Sequence, residues 1–287
     1  MKKKILVVGS GGLIGHKIFS YLKKLEKYSL YNISASRKIN DKTILLDARK
    51  ENIFHKKIKE INPDFIINCI GVLINESELN PKDAIYLNAY LPHLLKNTAN
   101  KIDSKLIHIS TDCVFSGSKT NAYIEKDFKD GKDNYSKTKG LGEIDSKNHL
   151  TLRTSVVGPE LPPGGEELFH WFMSQKGIIK GFTNSVWSGV TTVELAKAVN
   201  RSISLDVSGI HHVTNNTKIN KYELLCLFKK YTNKNLEIKK VGGRSTDKSF
   251  FDTRGELGNN IPSYEKMISE MVDDIKRNKE LYPHYFI

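Results

Sequence analysis

Short apolar runs rich in β-branched residues alternate with stretches of helical periodicity through the first half of the chain. Ile5-Leu6-Val7-Val8 has no polar alternation, the pattern of a strand buried on both faces. It ends in Gly9-Ser10-Gly11-Gly12-Leu13-Ile14-Gly15, after which residues 16–22 carry an apolar stripe of period 3.6. Further strands are expected at 29–34, 43–46, 64–71, 105–110 and 150–155. Helices fall between them, near 51–60, over 83–100 with a kink at Pro92, and around Tyr135. Strands alternating with helices over some 150 residues specify an α/β fold, a Rossmann-type doubly wound parallel sheet.

Beyond Gly158 the texture changes. Pro159, Pro162, Pro163, Gly164 and Gly165 break the pattern, and the aromatic patch His170-Trp171-Phe172 follows. A helix is expected over 192–204, a strand over 209–213, and helices near 221–231 and 263–277 with little sheet between them. The division that results is a nucleotide-binding domain of 1–157 plus about 186–213. Residues 158–185 and 214–287 form a smaller, mostly helical C-terminal substrate-binding lobe.

Composition narrows the class. The 287 residues are 39% hydrophobic and 27% charged, as in ordinary globular proteins. No run approaches the ~20 apolar residues of a membrane span. Met1-Lys2-Lys3-Lys4 resembles the start of a signal peptide, but the apolar run behind it is too short, so a cytoplasmic protein without membrane partners is expected. The formal charge of +13 comes from lysines scattered along the whole chain, without a basic stripe, which argues against a nucleic-acid partner. Most of the excess reads as a Lys-rich surface bias, with a minor expected role in attracting anionic small molecules. Cys69, Cys113 and Cys226 lack metal-ligand spacing, so no metal site is expected.

Candidate chemistry gathers where strands end. A strand, a glycine turn and a helix N-terminus make a phosphate site, with Gly9, Gly11, Gly12 and Gly15 admitting the ligand and Leu13 and Ile14 opening the helix. Dinucleotide enzymes that use NAD place an acid after the second strand. This chain has Ser36-Arg37-Lys38, and an arginine there suits a 2′-phosphate, so NADPH is the expected cofactor. Asp47, Ala48, Cys69, Ile70, Gly71, Thr111 and Thr154 lie at or just after other strand ends and should line the same crevice. Tyr135 and Lys139 stand at i and i+4, where an ammonium favours ionisation of the phenol.

The motifs Gly9-x-x-Gly12-x-x-Gly15, Ile109-Ser110-Thr111-Asp112-x-Val114-Phe115-x-Gly117, Tyr135-x-x-x-Lys139 and Leu152-Arg153-Thr154 together resemble the extended short-chain dehydrogenase/reductases, and most of all the dTDP-4-dehydrorhamnose reductases. The resemblance runs from Lys4 to about Gly158 and fades past Thr214. It implies NADPH-dependent reduction of a nucleotide-linked 4-keto-6-deoxy sugar in surface polysaccharide precursor synthesis. Tyr135 would be the proton donor, Lys139 the holder of the nicotinamide ribose, and Thr111 a hydrogen-bond donor to the carbonyl. Asp112, His170, Trp187 and Arg244 are candidates for substrate binding, and a homodimer is one assembly the resemblance leaves open. Cys113 stands where dehydratases of the family carry Glu, which disfavours water elimination. It is also where a GDP-fucose-forming member of the superfamily carries a cysteine that moves a proton, so an epimerase/reductase with Cys113 as a catalytic group stays open. A non-catalytic, NADP-binding regulatory subunit is the remaining alternative, disfavoured by the intact Thr111, Tyr135 and Lys139.

Overall fold

Ile5 through Val8 are fully buried, and the strand they form, β1 (Lys4–Val8), lies in the middle of the sheet in the computed structural model, which describes residues 1–162, 164–243, 245–257 and 260–287. The chain continues through α1 (Leu13–Lys24), β2 (Ser29–Ser34), β3 (Ile44–Leu45), α2 (Glu51–Ile61) and β4 (Phe65–Asn68). Next come α3 (Ile74–Leu79), α4 (Pro81–Ala84), a π-helical turn at Ile85–Tyr90, and α5 (Leu91–Lys101). Then β5 (Lys105–Thr111) runs into a 3₁₀ turn at Asp112–Val114, and α6 (Asn134–Leu141) precedes β6 (Leu150–Thr154).

The second half contributes β7 (Val156–Val157), α7 (Leu168–Ser174), β8 (Gly177–Phe182), β9 (Ser185–Trp187) and β10 (Val190–Thr191). It closes with α8 (Thr192–Leu205), β11 (Gly209–His212), β12 (Ile219–Asn220), α9 (Lys221–Thr232), β13 (Leu236–Val241), β14 (Thr246–Asp247) and α10 (Tyr264–Arg277).

Seven strands form the main sheet in the order β11-β6-β5-β4-β1-β2-β3. β1 pairs in parallel with β2 and β4, and β2–β3 and β4–β5 are parallel as well. The order reverses between β1 and β4, the position at which doubly wound sheets open a crevice at their carboxyl edge. On one face Leu6, Val8, Ile66 and Leu106 meet Phe54 and Ile58 of α2 and Leu91, Leu95 and Ala99 of α5. Phe54 is fully buried there, and truncating such a ring to Ala costs about 3–5 kcal/mol.

Two compact units emerge. The first comprises 1–116, 128–153 and 196–211, and the second 117–127, 154–195 and 212–287. In the second, β8 and β13 pair in parallel over six residues, from Leu236 opposite Gly177 to Val241 opposite Phe182, where little sheet was expected. The helix expected over 83–100 is interrupted by the π-turn. Proline at the second position of α5 has no N–H to give and its ring presses on the carbonyl four residues back, that of Asn88. Widening the turn relieves both. Among the described residues no helix is long and apolar enough to cross a membrane.

Candidate active site

Three stretches of the first unit converge on the reversal of strand order. The first is the glycine turn. Gly9 has φ +80°, and a Cβ there would lie 2.9 Å from the backbone of Cys69 and Ile70, so only glycine serves. A Cβ on Gly15 would meet the Gly9 carbonyl oxygen at 2.2 Å, which lets α1 start directly against the loop. The Gly9 and Ser10 N–H groups both donate to the Ile33 carbonyl, at 2.9 and 3.0 Å, anchoring the turn to the end of β2. Gly12 is the N-cap of α1 and offers no side chain to the first helical N–H groups, which leaves them for an anion.

A cleft of about 350 Å³ opens beside this turn. Gly9, Gly11, Gly12, Ser36, Arg37, Asp47, Ala48, Cys69, Ile70 and Gly71 line it, together with Ser34, Arg49 and Leu87, which the sequence reading did not single out. Leu13, Ile14 and Gly15 belong to the first turn of α1 and are not part of that lining. Arg37 is half-buried, and its Nη1 donates to the Gly11 carbonyl at 3.2 Å, which holds the guanidinium at the rim of the glycine turn. Asp47 is clamped by Arg49 at 2.7 Å, and Arg49 reaches on to Asp83 at 2.6 Å. The Arg49 guanidinium holds the Asp47 carboxyl below the usual range. An uncapped helix N-terminus, glycines that bring the backbone to the surface and a cation after β2 fit a phosphorylated dinucleotide.

The second stretch is the end of β5. Thr111 is the N-cap of the 3₁₀ turn, and its Oγ accepts from the Cys113 N–H at 3.1 Å. Its hydroxyl donates to Asp112 Oδ1 at 3.1 Å, so a ligand oxygen would take the proton that Asp112 holds here. Thr111 and Asp112 are buried, and Cys113 is half-buried and in no disulfide.

The third is α6, which carries Tyr135 and Lys139. Eight residues are too few for a helix stable by propensity, and its ends are fixed by contacts. Asp133 caps it by accepting from the Ser136 N–H at 2.7 Å, and the Asn134 N–H donates to Glu78 of α3 at 2.9 Å. Tyr135 is half-buried. Lys139 is buried, and its Nζ donates to the Ile109 carbonyl at 2.8 Å, which tethers the ammonium to β5. Burial pulls its pKa down to about 8, against the raising influence of Glu143 and Cys69. The Cys69 thiol is pushed up to about 12 by burial despite Lys139, so it stays protonated and inert at neutral pH.

Sequence reasoning missed Asn88, fully buried in the π-turn. Its amide accepts from the Val72 N–H at 2.9 Å and donates to the Val72 carbonyl at 3.1 Å and to Thr138 Oγ at 3.3 Å. It therefore ties the loop after β4 to the helix of Tyr135 and Lys139. A Cβ on Gly71 would meet Asn88 Oδ1 at 3.1 Å and Lys139 Nζ at 3.8 Å, which places that loop against the lysine.

The substrate candidates fare differently. His170 belongs to the second unit, where its Nδ1 pairs with the Tyr285 hydroxyl at 2.9 Å. Trp187 is 5% exposed, its indole N–H donates to Ser155 at 2.9 Å and its ring lies against Tyr264, the packing of a core side chain rather than of a stacking platform. Arg244 lies outside the described residues.

A doubly wound parallel sheet with a glycine turn at its reversal point defines the class of Rossmann-type α/β proteins. Within that class the chain belongs to the RmlD substrate binding domain family, matched over residues 2–248. It is 28% identical over 225 residues to the spore coat polysaccharide biosynthesis protein SpsK of Bacillus subtilis, covering 77% of this chain and 76% of that one. It is 27% identical over 157 residues to dTDP-4-dehydrorhamnose reductase of Aggregatibacter actinomycetemcomitans, covering 53% of this chain and about half (51%) of that enzyme. Among solved structures it resembles dTDP-4-dehydrorhamnose reductase from Bacillus anthracis in complex with NADP, with a TM-score of 0.81, 21% identity, and coverage of 96% of this chain and 100% of that one.

Proposed function

We propose that this protein is an NADPH-dependent reductase of a nucleotide-linked 4-keto-6-deoxy sugar that feeds polysaccharide synthesis. The observation that carries the reading is Lys139, buried and tethered to β5 beside the cleft, four residues after Tyr135 on the same short helix. Similarity to a dTDP-4-dehydrorhamnose reductase supports the sugar-nucleotide substrate, and similarity to a spore coat polysaccharide biosynthesis protein supports the polysaccharide route.

Bound NADPH would supply the hydride. Gly9–Gly15 and the α1 N-terminus would hold the pyrophosphate, and Arg37 with Ser36 would take the 2′-phosphate. Lys139 would hold the nicotinamide ribose hydroxyls one helical turn from the Tyr135 phenol. Tyr135 gives its proton to the sugar carbonyl oxygen as that oxygen becomes an alkoxide. Thr111 turns its hydroxyl from Asp112 to the same oxygen and fixes its position. NADPH absorbance followed with freshly made dTDP-, UDP- and GDP-4-keto-6-deoxyhexoses tests the reading: oxidation dependent on one of these sugars supports it, and none with any of them refutes it.

One observation favours a second activity at the same site. Cys113 is half-buried and in no disulfide, and its backbone N–H is fixed by the Thr111 hydroxyl oxygen. A 4-keto group acidifies the neighbouring carbons, and a thiolate there would remove a proton, making the enzyme an epimerase/reductase.

A further inference from the structure

Behind Lys139 lies a buried ion pair that the reductase reading leaves without a task. Glu143 has no exposed side-chain surface and Arg153 almost none (1%). Arg153 Nε and Nη2 donate to the two Glu143 oxygens at 2.8 and 2.7 Å, a bidentate clamp, and the guanidinium lies 4.9 Å over the Phe115 ring. The Ser110 hydroxyl donates to Glu143 Oε1 at 2.7 Å, and Lys129 approaches Oε2 at 3.3 Å from the rim. Stability alone does not explain such a pair, because a well-packed apolar replacement is often as stable. Its place in the fold does. Ser110 sits between Ile109, whose carbonyl receives Lys139, and Thr111, whose hydroxyl donates to Asp112 and is the proposed donor to the sugar carbonyl.

We propose that Glu143 is a positioning residue for the reduction: its carboxylate, clamped by Arg153, holds Ser110 and through it the end of β5 that presents Thr111 and the acceptor of Lys139. The same carboxylate is the foremost negative charge acting on Lys139. Cys69 and His108 also act with Lys139, and burial keeps both of those neutral at pH 7, while the Tyr135 phenol stands one turn away on α6. Glu143 itself is held ionised, since the Arg153 clamp and the Ser110 hydrogen bond outweigh its burial. One carboxylate thus has two effects that separate by substitution. Ser110→Ala cuts the tether and keeps the charge, while Glu143→Gln removes the charge and leaves an amide oxygen for Ser110.

The test is a titration of Lys139 by NMR in protein labelled at lysine Cε, with the resonance assigned by its loss in Lys139→Met. It needs neither cofactor nor sugar. The wild-type midpoint should lie near 8, and Glu143→Gln should lower it by about half a unit or more. Ser110→Ala should leave the midpoint in place and lower kcat roughly ten- to a hundredfold with KM for NADPH unchanged, since a small misplacement of the strand end acts on the chemical step. A merely structural pair would lower the thermal midpoint and move neither signal. Equal Lys139 midpoints in wild type and Glu143→Gln overturn the charge role. Wild-type kcat in a folded Ser110→Ala overturns the tether, and that variant unpairs no charge and so remains informative if Glu143→Gln does not fold. The tether rests on the reductase reading. If wild type reduces no keto sugar, that reading fails by itself and the Lys139 titration still decides the role of Glu143.

Discussion

The two halves of the site are built from different material. The Gly9–Gly15 turn is made of backbone: at Gly9 and Gly15 there is no room for even one carbon, and the N-terminal N–H groups of α1 have no side-chain cap. The Tyr135–Lys139 helix is made of side chains: Lys139 is held by the Ile109 carbonyl, Ser136 by Asp133 and Thr138 by Asn88. A backbone site is damaged by adding atoms and a side-chain site by removing them. The second depends on contacts to the loop after β4 and to β5.

The largest expected effect tests the side-chain half. Tyr135→Phe should lower turnover by about a hundred- to ten-thousandfold, the usual contribution of a positioned proton donor, with NADPH binding unchanged. Substantial residual turnover would transfer the proton donor's role elsewhere. The backbone half breaks in the opposite way. Gly9→Ala combines a positive φ with a 2.9 Å contact to Cys69 and Ile70, so it should cost roughly 1–3 kcal/mol of stability and abolish NADPH binding. Thermal melting with and without NADPH reads both. Wild-type affinity in that variant would place the pyrophosphate elsewhere.

Arg37→Ala sharpens the contrast, because Arg37 is a side chain lent to the backbone half. NADPH should bind about ten- to a hundredfold more weakly and NADH about as before, since a charge-assisted bond is worth about 1.5–3 kcal/mol. Equal weakening of both would leave Arg37 as a brace for the Gly11 carbonyl and nothing more.

The pH dependence separates the halves without mutation. The Lys139 pKa, depressed from 10.5 to about 8, means that its charge is lost as pH rises through 8, and turnover should decline along that limb. Stability moves the other way. Between pH 8 and 10.5 the unfolded chain binds this proton and the folded one does not, so the contribution of Lys139 to stability rises with pH across that window. Parallel declines of turnover and of the thermal midpoint above pH 8 would mean that the limb reports unfolding instead. The smallest effect concerns Cys113. Wild type with NADP⁺ should place deuterium beside the sugar carbonyl in deuterated water, and Cys113→Ala should not; exchange at the background rate in both ends the epimerase reading.

The backbone half was almost wholly legible in the residues. Glycines at fixed spacing after Ile5–Val8 specify a turn by what they lack, and that is local information. Strand β2 and helix α2 were equally clear, because alternating runs of six to eleven residues carry their own period. The side-chain half was legible only where its residues share a helix, as Tyr135 and Lys139 do. Asn88 gave no signal, since its task depends on Val72 and Thr138, sixteen and fifty residues away. Glu143 and Arg153 were invisible for the same reason, although Arg153 lies inside a recognised motif. β13 was passed over because Leu236 and Ile238 look like a weak alternation until β8 supplies a partner.

The π-turn at Ile85–Tyr90 sets this protein's helix length against its own thermal resistance. A chain shortened by one residue there, with Pro92 replaced by Ala, would close an unbroken run of i→i−4 bonds from α4 into α5. It should melt higher than the natural protein. Removing one residue also turns everything before it by about 100° about the axis, so the amide of Asn88 could no longer face both Val72 and Thr138. Selection for heat tolerance and selection for turnover would therefore pull on this one residue in opposite directions.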